Sequence, residues 1–319
     1  MIPIVTERKL YKSYTIKDLD NELSRSAIEN LALEPSLSKS YRLDIKRDDL
    51  IHPIISGNKW RKLKYLLQDI ENSGFQRVAA MGGRYSNFLH ALSYVCYLLG
   101  WDCELFVRGY QNQTLTQTLI DCKTWGATIH FVDRQAFRAL RNSQPNLADD
   151  TYWISEGGQQ VESTLGIAEI VKELPRSYDY IVIASATGTS VAGLANGYHD
   201  LPASHSAYNA KNQTHIIGVC VLNNQQQQIE DVNKLVNTES QFWQIKSGYE
   251  FGGFAKKNQM IDNFCDWFSS EYQIQIEPIY TGRSFYAVFD LMKKGFFKKD
   301  SNILLVHCGG LQGARNLEQ

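Results

Sequence analysis

The sequence predicts an α/β protein built on parallel sheets with helices on both faces. Short β-rich runs alternate with helical patterns along most of the chain. Several runs, residues 180–184 among them, are apolar without interruption, the pattern of strands buried on both sides. Two runs end in turns of small residues, at Gly82-Gly83 and over 185–190, from which a helical pattern restarts. In open parallel sheets such turns gather at the carboxyl ends of the strands, where ligands bind.

In chain order, residues 77–81 are strand-like and 86–99 carry apolar residues at helical spacing. Residues 102–107 are strand-like, 114–125 helical and 127–132 strand-like again. The run 180–184 leads into a Gly/Ser/Thr loop, and the chain is helical from Ala192 onward. Residues 215–221 and 303–307 are further buried-strand candidates. Residues 200–214 and 223–240 are polar, the second holding the run from Gln225 to Gln228, and read as surface loops or exposed helix faces. No internal repeat and no clean linker is present.

At 319 residues the chain is long enough for about two domains of roughly 150 residues each. Hydrophobic residues make up 43% and charged residues 21%, as in an ordinary globular protein. The 33 basic and 34 acidic side chains leave a formal charge of -1, so no basic surplus points to nucleic acid or an anionic membrane. Residues 1–14 lack the apolar core of a signal peptide. The apolar runs are too short to cross a bilayer. Cys96, Cys103, Cys122, Cys220, Cys265 and Cys308 form no CxxC pair and read as reduced thiols, which predicts a cytoplasmic protein. No metal-ligand spacing is found.

Five segments carry candidate chemistry. In Ser56-Gly57-Asn58-Lys59-Trp60-Arg61-Lys62-Leu63, Lys59 read alone is a solvated cation near a helix start. The positive end of the helix dipole and burial both disfavour its charged form, which would make it a usable amine. Residues 185–193 follow a buried strand; their small side chains admit an anion to the opening N–H groups of the next helix, or serve only as a structural joint. Neither GxGxxG nor GxxxxGK[ST] is present. In Gly82-Gly83-Arg84-Tyr85-Ser86-Asn87, Ser86 or Asn87 is a helix cap, a ligand contact, or both. Tyr280, within Glu277-Pro278-Ile279-Tyr280-Thr281-Gly282-Arg283, reads as a half-buried aromatic or an active-site hydroxyl. Val306-His307-Cys308-Gly309-Gly310 is a strand end that turns sharply.

The order and spacing of these segments resemble the family of 1-aminocyclopropane-1-carboxylate deaminases and D-cysteine desulfhydrases, from about Arg42 to Gly310. Gly57-Asn58-Lys59-x-Arg61-Lys62-Leu63 is similar to the family's GNKxRKL, whose lysine forms the Schiff base with pyridoxal 5'-phosphate. The resemblance thus implies this cofactor, held by Lys59. It implies that Ser86 lies close to substrate, that Asn87 meets the cofactor ring oxygen, and that Ala186, Thr187, Gly188, Thr189 and Ser190 hold the phosphate. Tyr280 would face the substrate and Thr281 the pyridine nitrogen. The implied fold is the tryptophan-synthase-β-like one: two open parallel-sheet α/β domains with the cofactor in the cleft between them. Residues 55–155 would be the small domain, and 1–54 with 156–319 the large one. A homodimer acting on a small amino acid follows from the same resemblance.

The chain departs from the deaminase pattern at three places. Thr281 stands where deaminases carry Glu and D-cysteine desulfhydrases Thr. Phe251-Gly252 is the local match to a second active-site tyrosine, with Tyr249 two residues before it, and Cys308 replaces the Thr of the HTGG strand end. A threonine at the ring nitrogen offers a neutral hydrogen bond and weakens the electron sink, yet still permits loss of a good β-leaving group. The expected activity is release of a 2-oxo acid and ammonia, with Lys59, Ser86 and Tyr280 as the catalytic set. A β-replacement enzyme and a cofactor-binding protein without turnover are the alternatives.

Overall fold

The computed structural model describes residues 14–23, 26–208, 214–237, 242–253 and 256–315. Residues 209–213 and 238–240 of the two polar stretches, and most of the signal-peptide reading at 1–14, therefore lie outside the described residues. The strands are β1 (Ile28–Asn30), β2 (Tyr41–Lys46), β3 (Arg77–Gly82), β4 (Asp102–Arg108), β5 (Thr128–Val132), β6 (Thr151–Ile154), β7 (Tyr180–Ser185), β8 (His215–Cys220), β9 (Trp243–Lys246) and β10 (Ser301–Val306). They form a six-stranded sheet in the order β1-β2-β10-β7-β8-β9 and a four-stranded sheet in the order β5-β4-β3-β6. Every pairing is parallel except β1 with β2. The ten-residue gap between those two strands is too short for a βαβ crossover, so the chain returns antiparallel at the sheet edge.

The helices are α1 (Ile16–Glu22), α2 (Pro35–Ser38), α3 (Asn58–Asn72), α4 (Asn87–Leu99), α5 (Gln117–Thr124), α6 (Arg134–Ala139), α7 (Val161–Lys172), α8 (Thr189–His199), α9 (Gln225–Leu235), α10 (Gln259–Tyr272) and α11 (Thr281–Lys293). They cover both faces of the large sheet. On β7, Val182 packs into one apolar cluster with α10 and α11 residues, while Ile181 and Ile183 pack into another with α7 and α8. That two-sided burial is why this strand shows no polar alternation. The small sheet shares one core with α3, α4 and α5, and Ile16, Leu19 and Leu23 of the amino-terminal segment join it.

Between the sheets, α3, α7 and α8 pack at close range because glycines face each other's backbones. A Cβ on Gly166 would lie 1.9 Å from the Arg61 carbonyl oxygen, and one on Gly193 would lie 2.5 Å from Ile167 Cβ. Expected elements appear with small shifts at their ends. The helix expected over 114–125 starts at Gln117 because Thr116 caps it, its hydroxyl accepting from Leu119 N–H. The run of glutamines is the first turn of α9. Among the described residues no helix is long and apolar enough to cross a membrane.

Candidate active site

A cleft of about 810 Å³ lies where the carboxyl ends of β3, β7 and β10 approach one another. Lys59, Ser86, Asn87, Ala186, Thr187, Gly188, Thr189, Ser190 and Tyr280 all line it. Thr281 does not.

Lys59 is placed by its neighbours on either side. Gly57 caps α3 at φ 66°, and a Cβ there would sit 1.7 Å from the Cys308 carbonyl oxygen. Only glycine lets the start of α3 rest on the turn after β10. Lys59 Nζ donates to Asn58 Oδ1 at 2.5 Å and reaches the Cys308 carbonyl at 3.4 Å. Asn58 Nδ2 donates in turn to Ser190 Oγ at 2.9 Å, which ties the lysine to the loop after β7. Burial pushes the Lys59 amine below its ordinary range, against the pull of Cys308, Glu277 and Asp48. Lys62, one turn on, donates to the Gly157 carbonyl at 3.0 Å, and burial and the Lys59 charge push it down to about 7.

A buried ion network anchors that first turn of α3. Arg61 Nε donates to Asp48 Oδ2 at 2.7 Å and Arg61 Nη1 to Glu173 Oε1 at 2.8 Å, while Lys46 Nζ meets Glu173 Oε2 at 2.6 Å. Each charge is matched, so the network orients the helix without leaving a bare ion inside.

Beside the start of α3 runs the loop from Ser185 into α8. Gly188 takes the left-handed conformation at the helix start, φ 75°, with Val232 only 2.7 Å from where a Cβ would be. The unpaired N–H groups of this helix end and the hydroxyls of Thr187, Thr189 and Ser190 make a cradle for an anion. Ser185 Oγ donates to Gln228 Oε1 at 2.6 Å and Asn224 Nδ2 to the Ala186 carbonyl at 3.2 Å, bracing the loop from behind. Gln228 is fully buried. A run of glutamines has no pattern that marks one of them as a brace.

Ser86 is both cap and wall: its Oγ accepts from Leu89 N–H at 3.3 Å while the residue lines the cleft. Asn87 is buried against Gly310, and its Oδ1 has no hydrogen-bond partner among the described residues. A buried amide left short of a partner points to a ligand, and turning about its terminal bond lets it offer a donor or an acceptor. Tyr280 opens α11; burial, then Glu277 and Glu156, raise its hydroxyl far above the usual range, so it keeps its proton at neutral pH.

Thr281 is fully buried behind the cleft, and its Oγ1 donates to Glu277 Oε1 at 2.7 Å. Glu277 also accepts from the N–H groups of Ile279, Tyr280 and Thr281, and burial pushes it up to about 7. The threonine proton is thus directed to Glu277, and its remaining lone pair is an acceptor. Tyr249 supplies no second hydroxyl to the cleft, because its OH donates to Asp290 at 2.7 Å; Phe251 packs edge-on against Tyr286. His307 is buried, donates from Nε2 to the Gln275 carbonyl at 2.8 Å and accepts from Gly309 N–H at Nδ1, so it shapes the turn. Burial pushes the Cys308 thiol up to about 11.

Arg283 is a functional support that sequence reasoning gave no role. It is 1% exposed and its guanidinium donates to the carbonyls of Pro278, Val221, Glu250 and Gly253, pinning two loops at the cleft edge. Nothing in the sequence around it distinguishes it from an exposed helix arginine.

An amine of lowered basicity, a small-residue anion cradle and an unsatisfied buried amide share this cleft, which fits a phosphorylated carbonyl compound. Residues 28–309 match the family described as pyridoxal-phosphate dependent enzymes. A Pyrococcus furiosus protein provisionally assigned as a 1-aminocyclopropane-1-carboxylate deaminase is 28% identical over 301 residues, 88% of each chain. The 1-aminocyclopropane-1-carboxylate deaminase of Rhizobium leguminosarum bv. viciae is 24% identical, with 89% of this chain and 91% of its own covered. The solved structure of an ACC deaminase homologue superposes with a TM-score of 0.74 at 26% identity, over 93% of this chain and 95% of that one. This chain belongs to the pyridoxal-phosphate dependent enzyme family, in its tryptophan-synthase-β-like fold, and takes pyridoxal 5'-phosphate as its cofactor.

Proposed function

We propose that this enzyme removes a β-substituent from a small amino acid and releases a 2-oxo acid and ammonia, as a D-cysteine desulfhydrase does. The observation that carries this reading is the link from Lys59 through Asn58 to Ser190, which joins the reactive amine to the anion cradle. When bound, pyridoxal phosphate supplies an electron-withdrawing ring that stabilises negative charge at the substrate α-carbon. Thr187, Gly188, Thr189 and Ser190, with the backbone at Ala186, hold its phosphate, and Asn87 turns its amide to the ring oxygen. Lys59 would hold the cofactor through its Nζ, and the same buried amine of lowered basicity would take the substrate α-proton. Ser86 and the N–H groups at the start of α4 orient the substrate carboxylate. Tyr280, protonated at neutral pH, donates to the departing group.

Elimination is favoured over cyclopropane opening because Thr281 stands in the carboxylate's place and Tyr249 is turned to Asp290. Thr281 is proposed to face the ring nitrogen as a neutral partner from just behind the cleft lining, its hydroxyl shared with Glu277. The small domain is taken as residues 55–155, joined by the packing of α1, and the large one as 1–54 with 156–319. A homodimer is expected, and six free buried cysteines support a reducing, cytoplasmic setting.

The test is oxo-acid and ammonia release by the holoenzyme from D-cysteine, L-cysteine and 1-aminocyclopropane-1-carboxylate. Pyruvate from D-cysteine is expected, and Lys59→Ala should lower its rate by about 10⁴-fold or more. Absence of oxo acid from every amino acid tried, or full turnover by the variant, would overturn the assignment.

A further inference from the structure

We propose that the cleft selects amino acids whose β-substituent is itself an anionic oxyacid, a phosphate or sulfonate-type leaving group. This rests on the elimination reading above and names its substrate class.

Part of the cleft lining away from the cradle's own residues is formed by arginines. Arg108 ends β4, and its register partner Val132 ends β5, one residue before the Asp133 cap of α6. From there Arg134 and Arg138, one turn apart on α6, and Arg141, in the turn that follows it, all line the cleft. Arg84 joins them from the turn after β3: it donates to the Thr114 carbonyl, while its buried Nε has no partner among the described residues. Lys256 adds a further cation to the lining.

Among the described residues, few carboxylates stand beside this charge. Glu156 is the carboxylate in the lining, and it pairs with Arg141 at 2.7 Å. Asp133, next to Arg134, accepts at Oδ1 from the N–H groups of Gln135 and Ala136 and forms no ion pair with Arg134 among the described residues. Among the described residues no carboxylate forms an ion pair with Arg84, Arg108, Arg134 or Arg138. The whole chain carries a formal charge of only -1, so the cleft concentrates cations that the rest of the surface does not.

A cofactor phosphate of about two negative charges belongs on the other wall, and a substrate carboxylate adds one more. Positive charge is still left over on the arginine side. Guanidinium forks match phosphate and sulfonate oxygens in pairs, and a cleft lined by one sign draws in ligands of the other. An uncharged substrate would leave these arginines merely hydrated.

For O-phosphoserine the step balances without an oxidant or reductant. The Cα–H bond breaks and its proton goes to Lys59; the Cβ–O bond breaks and its electron pair leaves with the phosphate. The released 2-aminoacrylate takes up water to give pyruvate and ammonia.

The experiment compares O-phosphoserine, serine O-sulfate, cysteate and uncharged O-acetylserine, each as both enantiomers, with the holoenzyme and with an Arg134→Gln/Arg138→Gln double variant. The readout is the ratio of kcat/KM for each charged substrate to that for O-acetylserine, in which intrinsic leaving-group ability cancels between the two enzymes. The ratio should fall about tenfold in the double variant, and in the native enzyme it should fall as salt is raised. Arg134→Lys/Arg138→Lys should keep the salt dependence, which separates loss of charge from loss of fold. The ester and sulfonate arms tell phosphate from sulfur oxyanions. An unchanged ratio in the Gln variant, or turnover of O-acetylserine alone, overturns this inference and leaves elimination standing. Failure to release pyruvate from any substrate overturns the elimination reading, and this inference with it.

Discussion

The two walls of the cleft bind charge by opposite means. The loop from Ser185 to Ser190 is made of small residues, and its capacity for an anion lies in backbone N–H groups and hydroxyls held from behind by Gln228 and Asn224. The arginine wall, from Arg108 at the end of β4 through α6 to Arg141, is made of long, exposed cations. A built cradle is rigid and depends on tight contacts, so it suits a resident cofactor that must stay in one place. A fringe of guanidiniums is adaptable and screened by salt, which suits a ligand that comes and goes. On the proposed reading one wall retains and the other selects, and each should fail in its own way.

The largest effect is expected from Gly188→Ala. The added Cβ meets Val232 at 2.7 Å in a backbone held at φ 75°, so the loop must shift. Left-handed strain and overpacking together should cost about 2–5 kcal/mol. A lower urea midpoint and loss of the cofactor on desalting would show it; an unchanged midpoint would mean the cradle is not rigid.

Lys62→Met should have a smaller effect that changes with pH. Lys62 is pushed down to about 7 in the folded protein, well below the ordinary lysine value of 10.5 it has when unfolded. Between those values the unfolded chain binds the extra proton, so this residue makes stability rise with pH across that window. The variant should lack that rise, gaining most relative to the native chain near pH 7 and least near pH 10. Urea midpoints at the two pH values check it, and parallel curves would refute it.

The smallest effect is expected from Arg138→Gln on the fold. An exposed arginine without a carboxylate partner should change stability by no more than about 0.5 kcal/mol, as read from the same urea midpoint. A larger loss would mean that the arginine wall supports the structure as well.

Much of the cradle was legible beforehand because its chemistry is local. Gly57, Lys59, Ser86, Asn87 and residues 186–190 lie at or just before the first turns of helices, where a few adjacent residues determine both conformation and hydrogen-bonding capacity. The supports were not legible. Gln228 looks like one of four equivalent polar residues, and Arg283 like a surface cation, until distant segments close around them. Thr281 was expected to face the pyridine nitrogen, and only the fold shows that Glu277, four residues earlier, accepts its proton once α11 begins.

By itself, the sequence determined the class of fold, the lysine and the small-residue loop, since strand burial, helix starts and glycine conformations follow from neighbouring residues. Only the tertiary structure decided which charges share a cleft. A formal charge of -1 is a sum over the surface, whereas the field that a substrate meets depends on which arginines the sheet order and helix faces bring together.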